Sequence, residues 1–352
     1  MSAPPGPARR ALAAKTITLA HGGGGSAMRD LIDDVFLSAF SGDGRAAPED
    51  QARFELSALA ARGDRLAFTT DSFVVDPLVF PGGDIGTLAV CGTVNDLAVG
   101  GAEPVALSCA VIIEEGLEVE TLRRVVASMA RTAREAGVAI ATGDTKVVAR
   151  GACDKLFITT TGIGVVRAGL DVGIAKARPG DVLLVNGLLG DHGAAILNAR
   201  GDLALETAIA SDCAPLNGLI AALIAAAPGI RMMRDATRGG LAAVVNELAE
   251  ASAVGIALDE LALPMRAEVR GFCEILGLDP LYLANEGKIL AVVPPDQAGA
   301  ALAALRAHPL GREAAIVGTV AAGRPGRVTL RTRFGGERIV DMLVGDQLPR
   351  IC

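Results

Sequence analysis

The 352-residue chain has no tryptophan, one tyrosine and nine phenylalanines. A platform of aromatic rings for stacking nucleic-acid bases is therefore excluded, and the core has to be aliphatic. Positive charge is also short. Lys and Arg number 33 against 40 Asp and Glu, for a net charge of −7. That balance argues against a surface for nucleic acid or for an anionic membrane. Long hydrophobic runs are missing too, since the longest, such as Leu219 to Ala227, fall far short of a membrane span. The first fourteen residues carry Pro4, Pro5, Pro7, Arg9 and Arg10 but no apolar stretch. They read as a disordered lead and not as a signal peptide, and a soluble cytoplasmic protein is expected.

The six cysteines, at 91, 109, 153, 213, 273 and 352, include no CxxC pair, so neither a zinc knuckle nor a redox motif is supported. Cys91, Cys109, Cys153 and Cys273 lie among apolar neighbours and read as small core residues. Three histidines, none beside an obvious Ser or Cys partner, give little support to a catalytic triad. His192, in Gly190-Asp-His-Gly193, reads first as a structural hydrogen-bonder in a turn.

What the chain does have is length, aliphatic residues and 43 glycines. The length exceeds what one hydrophobic core supports, and two domains are expected. The glycines point to tight turns and to places where backbone approaches a ligand. Strand-like runs at Leu66–Thr70, Val105–Ile113, Val138–Ala141 and Leu156–Ile163 alternate with a periodic helix over 119–135, describing one α/β unit over roughly 36–166. The Val138–Ala141 strand is expected to break at Gly143-Asp144-Thr145. Arg178-Pro-Gly-Asp181 marks the turn into a second unit, with strands near 182–186 and 289–293, helices near 215–227, 240–250 and 296–307, and a strand pair over 314–341. The division expected is a lead over 1–17, an N-terminal domain over 18–168, a C-terminal domain over 169–341, and a mobile tail over 342–352.

Four segments place an aspartate beside glycine or a small polar residue: Thr70-Asp71-Ser72, Val94-Asn95-Asp96-Leu97, Gly143-Asp144-Thr145-Lys146 and Arg234-Asp235-Ala-Thr-Arg-Gly-Gly240. Carboxylates at strand ends suit a hard cation such as Mg²⁺, which takes oxygen ligands and completes its shell with water and substrate phosphates. Each alone is as well explained by an Asx turn or a helix cap. Gly22, Gly23 and Gly24, ahead of Ser26 and an amphipathic stretch, could wrap phosphate oxygens with backbone N–H groups or act only as a hinge. They form neither a Walker A motif nor a Rossmann fingerprint. Asn285-Glu286-Gly287-Lys288 puts a carboxylate and a lysine just before an apolar strand. The chain ends on Pro349-Arg350-Ile351-Cys352, where proline stiffens the tail and a terminal thiol is a strong nucleophile once ionised.

With these segments in place, the chain from about Thr18 to Cys352 closely resembles the HypE family of hydrogenase maturation factors, the carbamoyl dehydratases of [NiFe]-hydrogenase assembly. The matching residues are His21 with its glycines, Asp71-Ser-Phe-Val-Val-Asp-Pro77, Phe80-Pro-Gly-Gly83, Thr142-Gly-Asp-Thr-Lys-Val147, Gly190–Gly193, Asp235–Gly240, Asn285–Lys288 and the terminal Pro-Arg-Ile-Cys. The resemblance implies a two-domain PurM-like fold of the aminoimidazole ribonucleotide synthetase superfamily, forming a homodimer with ATP at the cleft between domains and across the dimer. It also implies that Cys352 accepts a carbamoyl group from HypF. ATP then drives loss of water to a thiocyanate, and the cyanide passes to iron on the HypC–HypD complex. Asp71, Asp96 and Asp235 would hold Mg²⁺, with Asp144 a further cofactor-binding position. Lys146 and Glu286 would move protons on the carbamoyl group, and Gly162 and Gly164 would lie near the nucleotide. Alternatives from the same superfamily, a small-molecule kinase or synthetase, share the acidic segments but give the terminal thiol no role. A non-catalytic carrier would lack ATP turnover.

Overall fold

The computed structural model describes residues 11–40, 49–201, 208–343, 345 and 350–352. Asp43 and Pro349 lie outside them. The alternation expected from the sequence produces two large sheets, beside a two-stranded ribbon of Val79–Phe80 and Gly83–Asp84. The first is four-stranded, in the order Arg65–Phe73, Leu156–Val166, Ala102–Glu114, Ala139–Val148. Its last two strands are parallel and are joined through the helix Val119–Ala136, whose apolar face is buried. The other two pairings are antiparallel. The second sheet is seven-stranded, in the order Glu337–Ile339, Val328–Arg331, Gly255–Asp259, Ala315–Ala321, Val182–Val185, Ile289–Val293, Met232–Asp235. The strand Ile289–Val293 is buried at every residue, as its unbroken apolar run requires.

One helix joins the halves. Ile85–Val99 starts where the Asp84 carboxylate accepts the N–H groups of Gly86 and Thr87, both at 2.9 Å, and it packs on the first sheet, on Val119–Ala136 and on elements of the second half. Almost all of its residues are buried, so it shows no polar face and no amphipathic period. A single apolar cluster includes Leu88 of this helix, Leu122 of the neighbouring helix, Phe272 and Leu283 of the second half, and Ile351 of the tail.

Several expectations need correction. The strand expected to stop at Gly143 runs from Ala139 to Val148. Gly143 lets it continue, because a Cβ there would stand 2.3 Å from the Cys109 carbonyl oxygen of the paired strand. Asp96 is in the Ile85–Val99 helix and not at a strand end. His192 is in the first turn of the helix Asp191–Ala199 and not in an isolated turn. Part of the expected lead is ordered: the Ile17 N–H donates to the Leu117 carbonyl at 2.8 Å, and Ile17 is fully buried. Cys91, Cys109 and Cys273 are buried as read, whereas Cys153 is only half-buried.

Gly162 and Gly164 are interior residues of the strand Leu156–Val166, which extends beyond both. A Cβ on Gly162 would come within 2.7 Å of Thr93 and 2.9 Å of Leu97, and one on Gly164 within 2.9 Å of the Glu103 carbonyl. The structure therefore uses them for close helix–strand and strand–strand packing. Gly162→Ala is expected to push the Ile85–Val99 helix off the sheet and cost about 1–3 kcal/mol, measured as a lowered denaturation midpoint.

Candidate active site

Between the two halves lies a cavity of about 640 Å³, lined from the first half by Thr69, Asp71 and Asp96, from the second by Arg234, Asp235, Arg238 and Glu286, and by Cys352 of the tail. Asp71 is on the edge strand Arg65–Phe73, where the alternation of side chains turns it toward the cavity. Its carboxylate accepts the Ser72 N–H at 2.7 Å. Asp96 accepts a hydrogen bond from Thr69 Oγ1 at 3.1 Å. Asp235 ends the strand Met232–Asp235, in register with Ile289.

These carboxyl groups are placed against their own charge. Burial, then the neighbouring charges of Asp235 and Asp71, push Asp96 up to about 6 despite the Thr69 hydrogen bond. Burial also raises Asp71 and Asp235, with Arg238 and Arg234 respectively acting in the opposite direction. Glu286 is raised well above its ordinary value, first by burial and then by Cys213, Asp212 and the cavity aspartates, and its Oε1 is buried with no hydrogen-bond partner.

Glu286 is held there by its backbone. The Asp212 carboxylate accepts the Glu286 N–H at 3.0 Å, the Gly287 N–H at 3.2 Å and the Lys288 ammonium at 2.9 Å. Burial pushes Asp212 upward, but Lys288 and these hydrogen bonds keep it below the usual carboxylate value. Gly287 is required, since a Cβ would stand 1.9 Å from the Asp212 carbonyl oxygen. Asn285 ties two other segments to the same loop, accepting the Gly190 N–H at 2.7 Å and donating to the Ala236 carbonyl at 2.7 Å. Asn95, beside Asp96, donates to Ala214 and accepts from Leu216.

The tail is docked. The Val74 N–H donates to the main-chain carboxylate oxygen of Cys352 at 3.1 Å, Arg350 Nε donates to the Val74 carbonyl at 3.0 Å, and Arg350 pairs with Asp154. Ile351 is 3% exposed. The reading of the tail as mobile therefore gives way, for residues 350–352, to a seated end that presents Cys352 to the cavity.

Not every residue singled out in the sequence reaches this place. Asp144 and Lys146 are exposed on the far edge strand Ala139–Val148, ion-paired with each other at 2.6 Å. The hydrogen bond from Lys146, with a smaller contribution from the Thr145 N–H, keeps Asp144 low. Gly22 packs on Val147 of the same strand, where a Cβ would come within 2.9 Å, and Gly24 has φ of +76°. Gly23 caps the short turn Leu19–Gly22. This group is separated from Asp71 by three strand spacings of the sheet, about 14 Å. Within one chain, Lys146 and Glu286 do not form a pair. Cavity residues given no role in the sequence include Arg234 and Arg238, both within a segment already noted, Thr69 and Glu247. Asp212 was also missed, and it had no local signal because its partners are some 75 positions away.

The donor set suits a hard cation. Asp71, Asp96 and Asp235 offer carboxylate oxygens to one cavity, and mutual repulsion contributes to the raised values of Asp96 and Asp235. Among the described residues no group of three His, Cys, Asp or Glu stands close enough together to hold a metal ion by itself, so a cation here would need further ligands from water or substrate. For the empty protein the crowding is a destabilising charge. Asp96 has a folded value above its unfolded one, so the penalty is absent below about pH 4, grows between there and pH 6 and is complete above. Asp96→Asn is accordingly expected to stabilise the ligand-free protein at pH 7, by at most roughly 3 kcal/mol, with the gain vanishing near pH 4 in denaturation measurements across pH.

Comparison with known proteins follows the same division. The family described as AIR synthase related protein, N-terminal domain, matches residues 49–166, and its C-terminal domain counterpart matches 178–331. A carbamoyl dehydratase HypE from Rhodobacter capsulatus is 63% identical over 342 residues, covering 97% of this chain and 100% of that protein. A crystal structure of hydrogenase maturation protein HypE in complex with ATP superposes with a TM-score of 0.89 at 49% identity, covering 95% of this chain and 99% of the other. The HypE chain of a crystallised HypE–HypF complex does so with a TM-score of 0.77 at 50% identity, over 79% of this chain and 90% of the other. The chain thus belongs to the HypE family of carbamoyl dehydratases, with a PurM-like fold built from two AIR synthase related domains.

Proposed function

We propose that this protein uses ATP to dehydrate a carbamoyl group carried on its own Cys352, giving the S-cyanated cysteine that supplies cyanide to hydrogenase iron. The observation that carries this reading is the presence of Cys352 in the same cavity as Asp71, Asp96, Asp235 and Glu286. A relative solved with ATP and another solved with HypF support the nucleotide and the carbamoyl donor respectively.

The chemistry needs what the cavity offers. Oxygen leaves an amide carbon poorly, so the carbamoyl oxygen first takes the γ-phosphoryl group of ATP and ADP departs. The resulting imidate then loses phosphate as its C–O bond breaks and the C≡N bond completes. Two protons leave the nitrogen along the way. Glu286, buried and without a partner on Oε1, is a strong proton acceptor in its ionised form. Arg234 and Arg238 face the charge of the transferring phosphoryl group. Mg²⁺ held by Asp71, Asp96 and Asp235 would offset negative charge on the phosphates. Because the cargo is tethered to the tail, its effective concentration beside these groups is high.

The second proton group, Lys146 with Asp144 and Gly22–Gly24, comes from another copy of the chain in this reading. The open face of the four-stranded sheet supports a homodimer, since Leu66 is 64% and Phe68 70% exposed there. The HypC–HypD complex takes the cyanide, and the protein works in the cytoplasm.

Cys352→Ala and Cys352→Ser are expected to bind ATP normally and to form no product. Intact mass after incubation with HypF, carbamoyl phosphate and MgATP tests this: the wild-type C-terminal peptide gains a carbamoyl group and then loses one water. Full product formation by the alanine variant would sink the proposal. A second expectation concerns pH. A proton on Asp96 competes with the cation, so MgATP affinity should fall below about pH 6, by up to roughly ten-fold per unit. In Asp96→Asn this fall should flatten, and calorimetric titrations at several pH values would show it.

A further inference from the structure

His192 is fully buried, sits edge-on to Phe80 at 5.6 Å between ring centres, and takes no part in the chemistry above. Its Nε2 lies 2.8 Å from the Ile351 carbonyl oxygen, and its Nδ1 lies 2.8 Å from Ser211 Oγ. A carbonyl oxygen only accepts, so the ring proton is on Nε2 and the Ser211 hydroxyl donates to Nδ1. Ser211 Oγ in turn accepts the Cys213 N–H at 3.1 Å, and the Ser211 N–H is fixed on the Pro81 carbonyl at 2.7 Å. Burial holds the imidazole below its usual value, which keeps this neutral tautomer at neutral pH. The ring is thus aimed from behind, through a chain of hydrogen bonds, at the peptide bond that joins Ile351 to Cys352.

We propose that His192 is the latch of the C-terminal tail, a positioning residue whose Nε2–H holds the Ile351 carbonyl and so seats Cys352 in the cavity. Other attachments exist, but water competes for them. The Arg350–Asp154 pair is 36% and 42% exposed on its two side chains, and such pairs contribute little. Arg200 Nη2 donates to the Arg350 carbonyl at 2.9 Å from a half-buried position. The backbone pairing to Val74 and Asp76, at 3.1 and 3.5 Å, is short and ends with the chain. The His192 hydrogen bond is enclosed, so its loss leaves a buried carbonyl unsatisfied, which costs more than the bond itself provides. Ile351 itself is buried in the same large apolar cluster as Ala194, Ala195 and Ile196 of that helix. A carrier has to leave its seat to be loaded and return to react, and the strength of this latch sets the seated fraction.

The latch itself is independent of the dehydration chemistry; only its use in readying the sulfur rests on that reading. The test is alkylation of Cys352 by iodoacetamide, followed by mass of the C-terminal peptide, with half-buried Cys153 as internal standard. His192→Ala should raise the Cys352 rate roughly ten-fold over wild type while leaving Cys153 unchanged. His192→Gln, which restores an N–H donor, should recover much of the protection, as a purely space-filling role would not. Ile351→Ala, which removes apolar burial from the seated end, should also deprotect the thiol, with the denaturation midpoint read alongside to separate this from a loss of folding. Equal Cys352 rates in wild type and both His192 variants would overturn the latch. Protection by His192 in a protein that fails to dehydrate its carbamoylated tail would remove the dehydration reading and leave the latch standing.

Discussion

Negative charge crowded into a partly desolvated space is the constraint around which this protein is arranged. Asp71, Asp96, Asp235 and Glu286 come from four separate segments, and burial works against the ionised form of every one. No fold gains stability from such a cluster by itself. It persists because the surrounding backbone is over-determined. Asp84 fixes the start of the helix that carries Asp96, Asn285 ties Gly190 to Ala236, and Asp212 grips three consecutive residues around Glu286. Repulsion of this kind is relieved only by positive charge, whether a proton, a neighbouring guanidinium or a cation.

The scaffold also brings the end of the chain to the cavity. The cavity opens between the halves, and the tail reaches it by running beside Val74 and Asp76, immediately after the strand that bears Asp71. The thiol and the first carboxylate are thereby referred to one piece of backbone. The helix beginning at Asp191 holds the tail from the other half. A shift of one half against the other would move the sulfur relative to its partners. The shared apolar cluster that includes Leu88, Phe272 and Ile351 resists that shift.

Much of the site was legible as short segments. Asp71, Asp96, Asp235, Glu286 and Cys352 were all marked in the sequence, and they meet at one cavity. The elements carrying them were less legible. Ile85–Val99 is apolar all round because it is buried on all sides, so the periodicity that betrays a surface helix is missing and Asp96 was read at a strand end. Gly143 looked like a strand terminator, yet it lets an edge strand pass close to Cys109. Gly162 and Gly164 looked like ligand glycines and instead admit neighbouring side chains and backbone.

The sequence by itself determined the chemical inventory: an aliphatic α/β chain, acidic segments, glycines at close approaches and a thiol at the very end. These follow from composition and local pattern, which are properties of neighbours along the chain. Only the tertiary structure decided which of those groups share a space. Asp212 meets Glu286, and His192 meets Ile351, across long stretches of sequence, while Lys146 and Glu286 stay apart in one chain. Burial and charge repulsion act through distance in space, and no local pattern encodes that distance.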